Sequence, residues 1–150
     1  MVAVSAVRRA LAARLETIPG LSVTGHFGSN VVTPAAVLTP GVPGAASTSR
    51  PAVDYQQSFG GGHPMSFTVR VLVGLQDDES ATKTLDAYLD SDGAHSVYAA
   101  LEADQESLVD EDGEDIADFV TVPACLQYGP IEANGVLYLG AEWAVTVNAA

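Results

Sequence analysis

From Gly135 to Val147 the chain alternates with a period of two. Leu137, Leu139, Ala141, Trp143, Val145 and Val147 fall on one side, and Tyr138, Gly140, Glu142, Ala144 and Thr146 on the other. An earlier run does the same, with Phe67, Val69, Val71, Val73 and Leu75 set against Thr68, Arg70, Leu72 and Gly74. Two long strands are predicted, each with one core face. At the N-terminus the period changes: Val4, Val7, Leu11, Leu15 and Ile18 follow a helical stripe, Arg8, Arg9 and Arg14 lie off it, and Pro19-Gly20 stops the helix. Short strands are predicted at residues 21–24 and 34–39. A second helix runs to Leu89, capped by Asp77 or Asp78, with Ala81, Leu85, Tyr88 and Leu89 on one face. Ser96 caps a third, short helix that ends near Ala103. Residues 119–127 predict another strand, placing Pro123 at a bulge or edge, and Asn134-Gly135 marks the turn into the last strand.

Residues 40–64 show no sustained period and carry Pro40, Gly41, Pro43, Gly44, Pro51 and Gly60-Gly61-Gly62. A loop of this length in a compact domain is commonly functional. It is predicted to be a separable arm, with Tyr55 and Phe59 as exposed aromatic anchors and with a fold that survives deletion of residues 41–62. The order of elements predicts an α+β fold: a mostly antiparallel sheet with two or three helices packed on one face, forming one domain over residues 1–150.

Charge narrows the function. Nineteen acidic against six basic residues leave a formal net charge of −13, so the field of the whole protein repels phosphate backbones and specific nucleic-acid binding is not expected. The single cysteine, Cys125, forms no intramolecular disulfide and sits in an apolar run, which predicts a buried, inert thiol. No apolar run reaches the roughly 18 residues of a membrane span, and no membrane partner is expected.

Motifs that would carry chemistry fail on inspection. The acidic run of Asp110, Glu111, Asp112, Glu114 and Asp115 around Gly113 invites a calcium-loop reading, but aligning Gly113 with the invariant glycine places Leu108 and Phe119 at ligand positions. Gly60-Gly61-Gly62-His63 precedes a strand and lacks the Lys-Ser or Lys-Thr of a phosphate loop. His26, His63 and His95 lack zinc-site spacing, and no G-x-S-x-G elbow is present. No catalytic residue, cofactor or metal site is predicted, and the chain is read as non-enzymatic.

Several segments together resemble a known family. They are Val7-Arg8-Arg9-Ala10-Leu11-Ala12-Ala13-Arg14-Leu15, Pro34-Ala35-Ala36-Val37, Phe67-Thr68-Val69-Arg70-Val71-Leu72-Val73-Gly74, Leu85-Asp86-Ala87-Tyr88-Leu89, Gly93 with Ser96-Val97, and Val136-Leu137-Tyr138-Leu139-Gly140-Ala141-Glu142-Trp143. In pattern and order the chain resembles the tail terminator, or tail completion, proteins of long-tailed bacteriophages, especially those of actinobacterial hosts. The likeness covers nearly all of the chain outside the arm. Asp104-Gln105-Glu106-Ser107-Leu108 departs from it, being more acidic and lacking a proline found in relatives.

The resemblance implies a virion structural protein, present in the host cytoplasm during assembly. Such a protein forms a homohexameric ring on the tail tube, ends tube growth, and offers a surface to the neck or head-closure protein. DNA would pass through the lumen without specific binding, as repulsion from six acidic subunits favours. Within that reading Arg50, Tyr55 and Phe59 are expected to dock the arm on a partner. Asp110, Glu111, Asp112, Glu114 and Asp115 are expected to include lumen-facing residues. Two alternatives stay open: a neck or head-closure protein, and a cellular acidic binding module or small enzyme.

Overall fold

The computed structural model describes residues 3–24, 32–44, 49–56, 62–75, 79–102, 107–133 and 135–149. Helix α1 (Val4–Leu15) leads into strands β1 (Ser22–Thr24), β2 (Ala35–Pro40) and β3 (His63–Leu75). Helices α2 (Glu79–Leu89) and α3 (Val97–Glu102) follow, and the chain ends in β4 (Leu108–Val109), β5 (Asp115–Ala133) and β6 (Val136–Ala149). The strands form one sheet in the order β1-β2-β3-β6-β5-β4, parallel only between β1 and β2. The fold is α+β, with a mostly antiparallel sheet.

The core lies between the helices and one face of this sheet. Val7, Leu11 and Leu15 of α1, Leu85 and Tyr88 of α2, and Val97 and Leu101 of α3 cluster with Phe67, Val69, Val71, Ala141, Trp143, Val145 and Val147. The alternation in β3 and β6 therefore does what period two predicts: one set of side chains meets the helices. Three register shifts in β5 break its ladder with β6, and bulges of this kind bend and twist a strand. The sheet curls accordingly, and α1 touches β1 and β2 at one edge and β4 and β5 at the other.

Local chemistry fixes the helix ends. Ser96 caps α3 as expected, its hydroxyl accepting from the Ala99 N–H at 3.0 Å while donating to the Asp90 carbonyl. Arg14, in the last turn of α1, suits the negative end of the helix. It also donates to the carbonyls of Leu101 (2.6 Å) and Ser107 (3.1 Å), which ties α1 to the segment joining α3 and β4. The expected Asp77 or Asp78 cap, the residues Asp104, Gln105 and Glu106, and Asn134 of the expected turn lie outside the described residues.

Three features depart from the sequence-based expectations. β5 is 19 residues long, where a strand over 119–127 is expected, because bulges rather than strand ends interrupt its alternation. Pro123 sits in one of these irregularities, between Thr121 and Ala124. β4 has only two residues and leaves no periodic trace. The arm, finally, is not separable. Gly41 N donates to Ser66 O at 2.7 Å, Ser66 N to Ala52 O at 3.0 Å and Asp54 N to Pro64 O at 2.9 Å. The arm thus continues the sheet along β3 beyond the end of β2. Val42 is buried and Val53 packs against the core, so deleting residues 41–62 would strip hydrogen bonds and apolar contacts from a core strand.

Candidate assembly surfaces

The acidic run forms a tight turn between β4 and β5. Asp110 Oδ1 accepts from the N–H groups of Asp112 and Glu114, both at 2.9 Å, and the Asp110 N–H donates to Glu114 O. Gly113, at φ +81°, supplies the left-handed position the turn needs. Asp115 opens β5. The side chains of Glu111, Asp112, Glu114 and Asp115 are exposed, and Glu111 meets Arg9 of α1 at 3.4 Å. One carboxylate oxygen is thus spent on the backbone, and the rest of the run faces solvent. Among the described residues no group of three or more His, Cys, Asp or Glu side chains is placed to hold a metal ion.

The arm residues are dispersed. Arg50 exchanges both main-chain hydrogen bonds with Val42 at 2.9 Å, and its exposed guanidinium donates to Ser49 O at 2.8 Å. Tyr55 is 71% exposed and stands edge-on to His63, with ring centroids 5.7 Å apart. Both are held on the rim of β3 by the backbone pairing described above. Phe59 lies outside the described residues.

The sheet face opposite the helices carries a cross-strand ion pair. Arg70 Nε and Nη2 both approach Glu142 Oε1, at 2.9 and 2.8 Å, in a row that runs Val37, Arg70, Glu142, Gln127 across four strands. Beside it, Leu72 and Ile131 close over Gly140, and all three are buried. Ser66 and Thr146 face one another at 3.4 Å farther along. This face is close-packed in the middle, and among the described residues no helix covers it.

The remaining surface was not anticipated from the sequence. Past Ala117, β4 no longer pairs with β5, and the Val122 N–H is instead satisfied by Glu102 of α3 at 3.1 Å. From Ala124 to Ala133, β5 has a strand on one side only among the described residues. With β6 it forms the β5–β6 ribbon at this edge of the sheet, and only its tip, the pairs Glu132 with Leu137 and Ala133 with Val136, runs past the last β3 pair, Leu75 with Tyr138. Leu126, Tyr128, Val136 and Leu137 are exposed on it, and Tyr128 donates to Asp86 of α2 at 3.0 Å. Between Phe119 and Ala141 the only charged residue is Glu132. That gap in an acidic chain was the available signal, and a search for groups that carry chemistry passes over it. Cys125 lies on the same ribbon, half-buried, with its S–H donating to Gln127 O at 3.4 Å. Burial pushes its thiol pKa up, which disfavours the thiolate, although the side chain is less buried than its apolar run leads one to expect.

At the opposite end of the molecule an open groove of about 580 Å³ separates α1 from β4 and the acidic turn. Ala6, Ala10, Ala13, Leu108 and Val109 line it, and its walls carry Arg9 and Arg14 together with the carboxylates of Glu16, Asp110 and Glu111. No helix is long and apolar enough to cross a membrane among the described residues. No protein-family model matches the chain, and a search of curated proteins finds no match.

Proposed function

We propose that this protein is a non-enzymatic virion component of the tail-terminator type: a ring of six copies that caps the tail tube of a long-tailed phage and presents a surface to the neck. The observation that carries this reading is the β5–β6 ribbon. An interface core is depleted of charge and enriched in aromatic and apolar side chains, and on a chain of net charge −13 the ribbon exposes Leu126, Tyr128, Val136 and Leu137 in a stretch, Phe119 to Ala141, whose only charged residue is Glu132. An open strand edge of this kind needs management, and Pro123 and Pro130 remove two backbone donors from it. A closed ring covers such edges without open polymerisation. The resemblance set out above supplies the position of the ring.

In this reading the exposed carboxylates of Glu111, Asp112, Glu114 and Asp115 contribute to an acidic lumen along which DNA slides without sticking. Tyr55 and Arg50, fixed on the rim of β3, contact the adjoining ring. The test is tube growth. The tube protein of the same phage is polymerised with and without this chain, and tube lengths are measured by electron microscopy. Tubes that stop growing and carry the protein at one end support the reading. Tubes of unchanged length and bare ends overturn it, and binding to the head connector instead would move the ring to the neck.

A further inference from the structure

From Phe119 to Tyr128 the chain carries no charged side chain and is rich in β-branched, aromatic and aliphatic residues. On a strand edge, a window of that kind is a template for a strand of another molecule, and growth through it has no natural end. In β5 this window begins just past the last residue that β4 pairs, since Leu108 meets Ala117 and no described strand continues alongside. We propose that Glu102 of α3 is the gatekeeper of this edge, its carboxylate holding the backbone donor that an added strand would take up. The inference concerns the edge of a single copy and stands whether or not six copies close into a ring.

The backbone sets the need. The register of β5 against β6 passes from Thr121 with Thr146 to Ala124 with Ala144, so Val122 and Pro123 together oppose the single residue Val145. A bulge of this kind interrupts the ladder and leaves main-chain groups to find other partners. Pro123 has no N–H to leave, but Val122 has one, and Val122 is buried. A buried donor without an acceptor is costly, and Glu102 Oε1 accepts from it at 3.1 Å. The carboxylate is itself held in place. The Tyr98 hydroxyl, one turn back on α3, hydrogen-bonds to it. Arg14 donates to the Leu101 carbonyl at 2.6 Å, which fixes the last turn of α3. A strand arriving at this edge would therefore have to displace a charge-assisted hydrogen bond, and its own carbonyl would then lie against a carboxylate deprived of that donor. Pro123 adds a second block, because it offers the newcomer no donor at the next position. Together the two residues stop sheet growth where β4 no longer covers β5.

The test follows the intact chain by sedimentation velocity and thioflavin fluorescence over a wide concentration range. Glu102→Ala is expected to lower by about tenfold the concentration at which open polymers larger than six copies appear, the gain expected when an added strand satisfies one buried donor. Those polymers should bind thioflavin. Glu102→Gln keeps an oxygen acceptor for the Val122 N–H and is expected to behave like wild type. Val7→Ala, which opens a cavity under α1 with Glu102 intact, controls for lost stability: it should lower the melting temperature and form no such polymers. The proposal is overturned if Glu102→Ala associates no differently from wild type, if the Gln variant polymerises like the Ala variant, or if Val7→Ala polymerises as readily. Tube capping is scored on the wild-type chain, so the functional reading and this inference fail separately.

Discussion

At Gly140 the absence of a side chain is what lets the two central strands meet. A Cβ there would lie 2.5 Å from the Val71 carbonyl oxygen and 2.8 Å from Leu72 Cδ2. The nearest obstacle is backbone, so β3 and β6 would have to separate. Gly140→Ala is expected to destabilise the fold by about 1–3 kcal/mol, the usual range for overpacking; a wild-type denaturation midpoint would contradict this. Tyr88 makes a different prediction. It is buried, and burial raises its pKa because the fold favours the neutral hydroxyl. Its contribution to stability is complete below the unfolded value of about 10 and is lost as pH rises through the higher folded value. Tyr88→Phe cannot titrate, so its melting temperature should fall less steeply than that of wild type above about pH 10. Parallel curves would count against it. The Arg70–Glu142 pair shows what sequence cannot supply at this scale: both residues lie on the predicted outward faces, but their meeting depends on the register of β3 against β6.

Elements were legible where a single face is covered. β3 and β6 alternate cleanly because helices pack on one side of each, and the α3 cap was legible because Ser96 reaches an N–H only three residues away. β4 is too short to show a period, and three register shifts hide the true length of β5. The arm was misread for a related reason: it joins β3 through main-chain groups, about which a pattern of side chains is silent. The same reasoning separates two arm variants. Deleting residues 41–62 should lower the melting temperature substantially, since Val42 and Val53 leave the core. Tyr55→Ala should change stability by no more than about 0.5 kcal/mol, as expected of an exposed site, yet reduce tail joining. Joining at the wild-type level would remove Tyr55 from the docking surface. For the candidate assembly surfaces, the acidic run was visible as charge but not as a turn organised by Asp110, and the ribbon offers no reactive group to draw notice.

On the scale of the whole molecule, charge opposes the proposed assembly, and the apolar ribbon is the surface proposed to offset it. Copies of net charge −13 repel one another over a Debye length that shrinks from about 30 Å at 0.01 M salt to about 8 Å at 0.15 M. Adding salt over this range is therefore expected to lower the concentration needed for assembly, because screening relieves repulsion over the whole surface. Assembly that weakens steadily with salt would show that ion pairs, and not the apolar ribbon, dominate the interface. The most direct test of the central claim is a count of copies at the end of a tube. With one dye on each chain, stepwise photobleaching of capped tubes should give six steps at a single end. Label spread along the tube, or ends without label, would contradict the account.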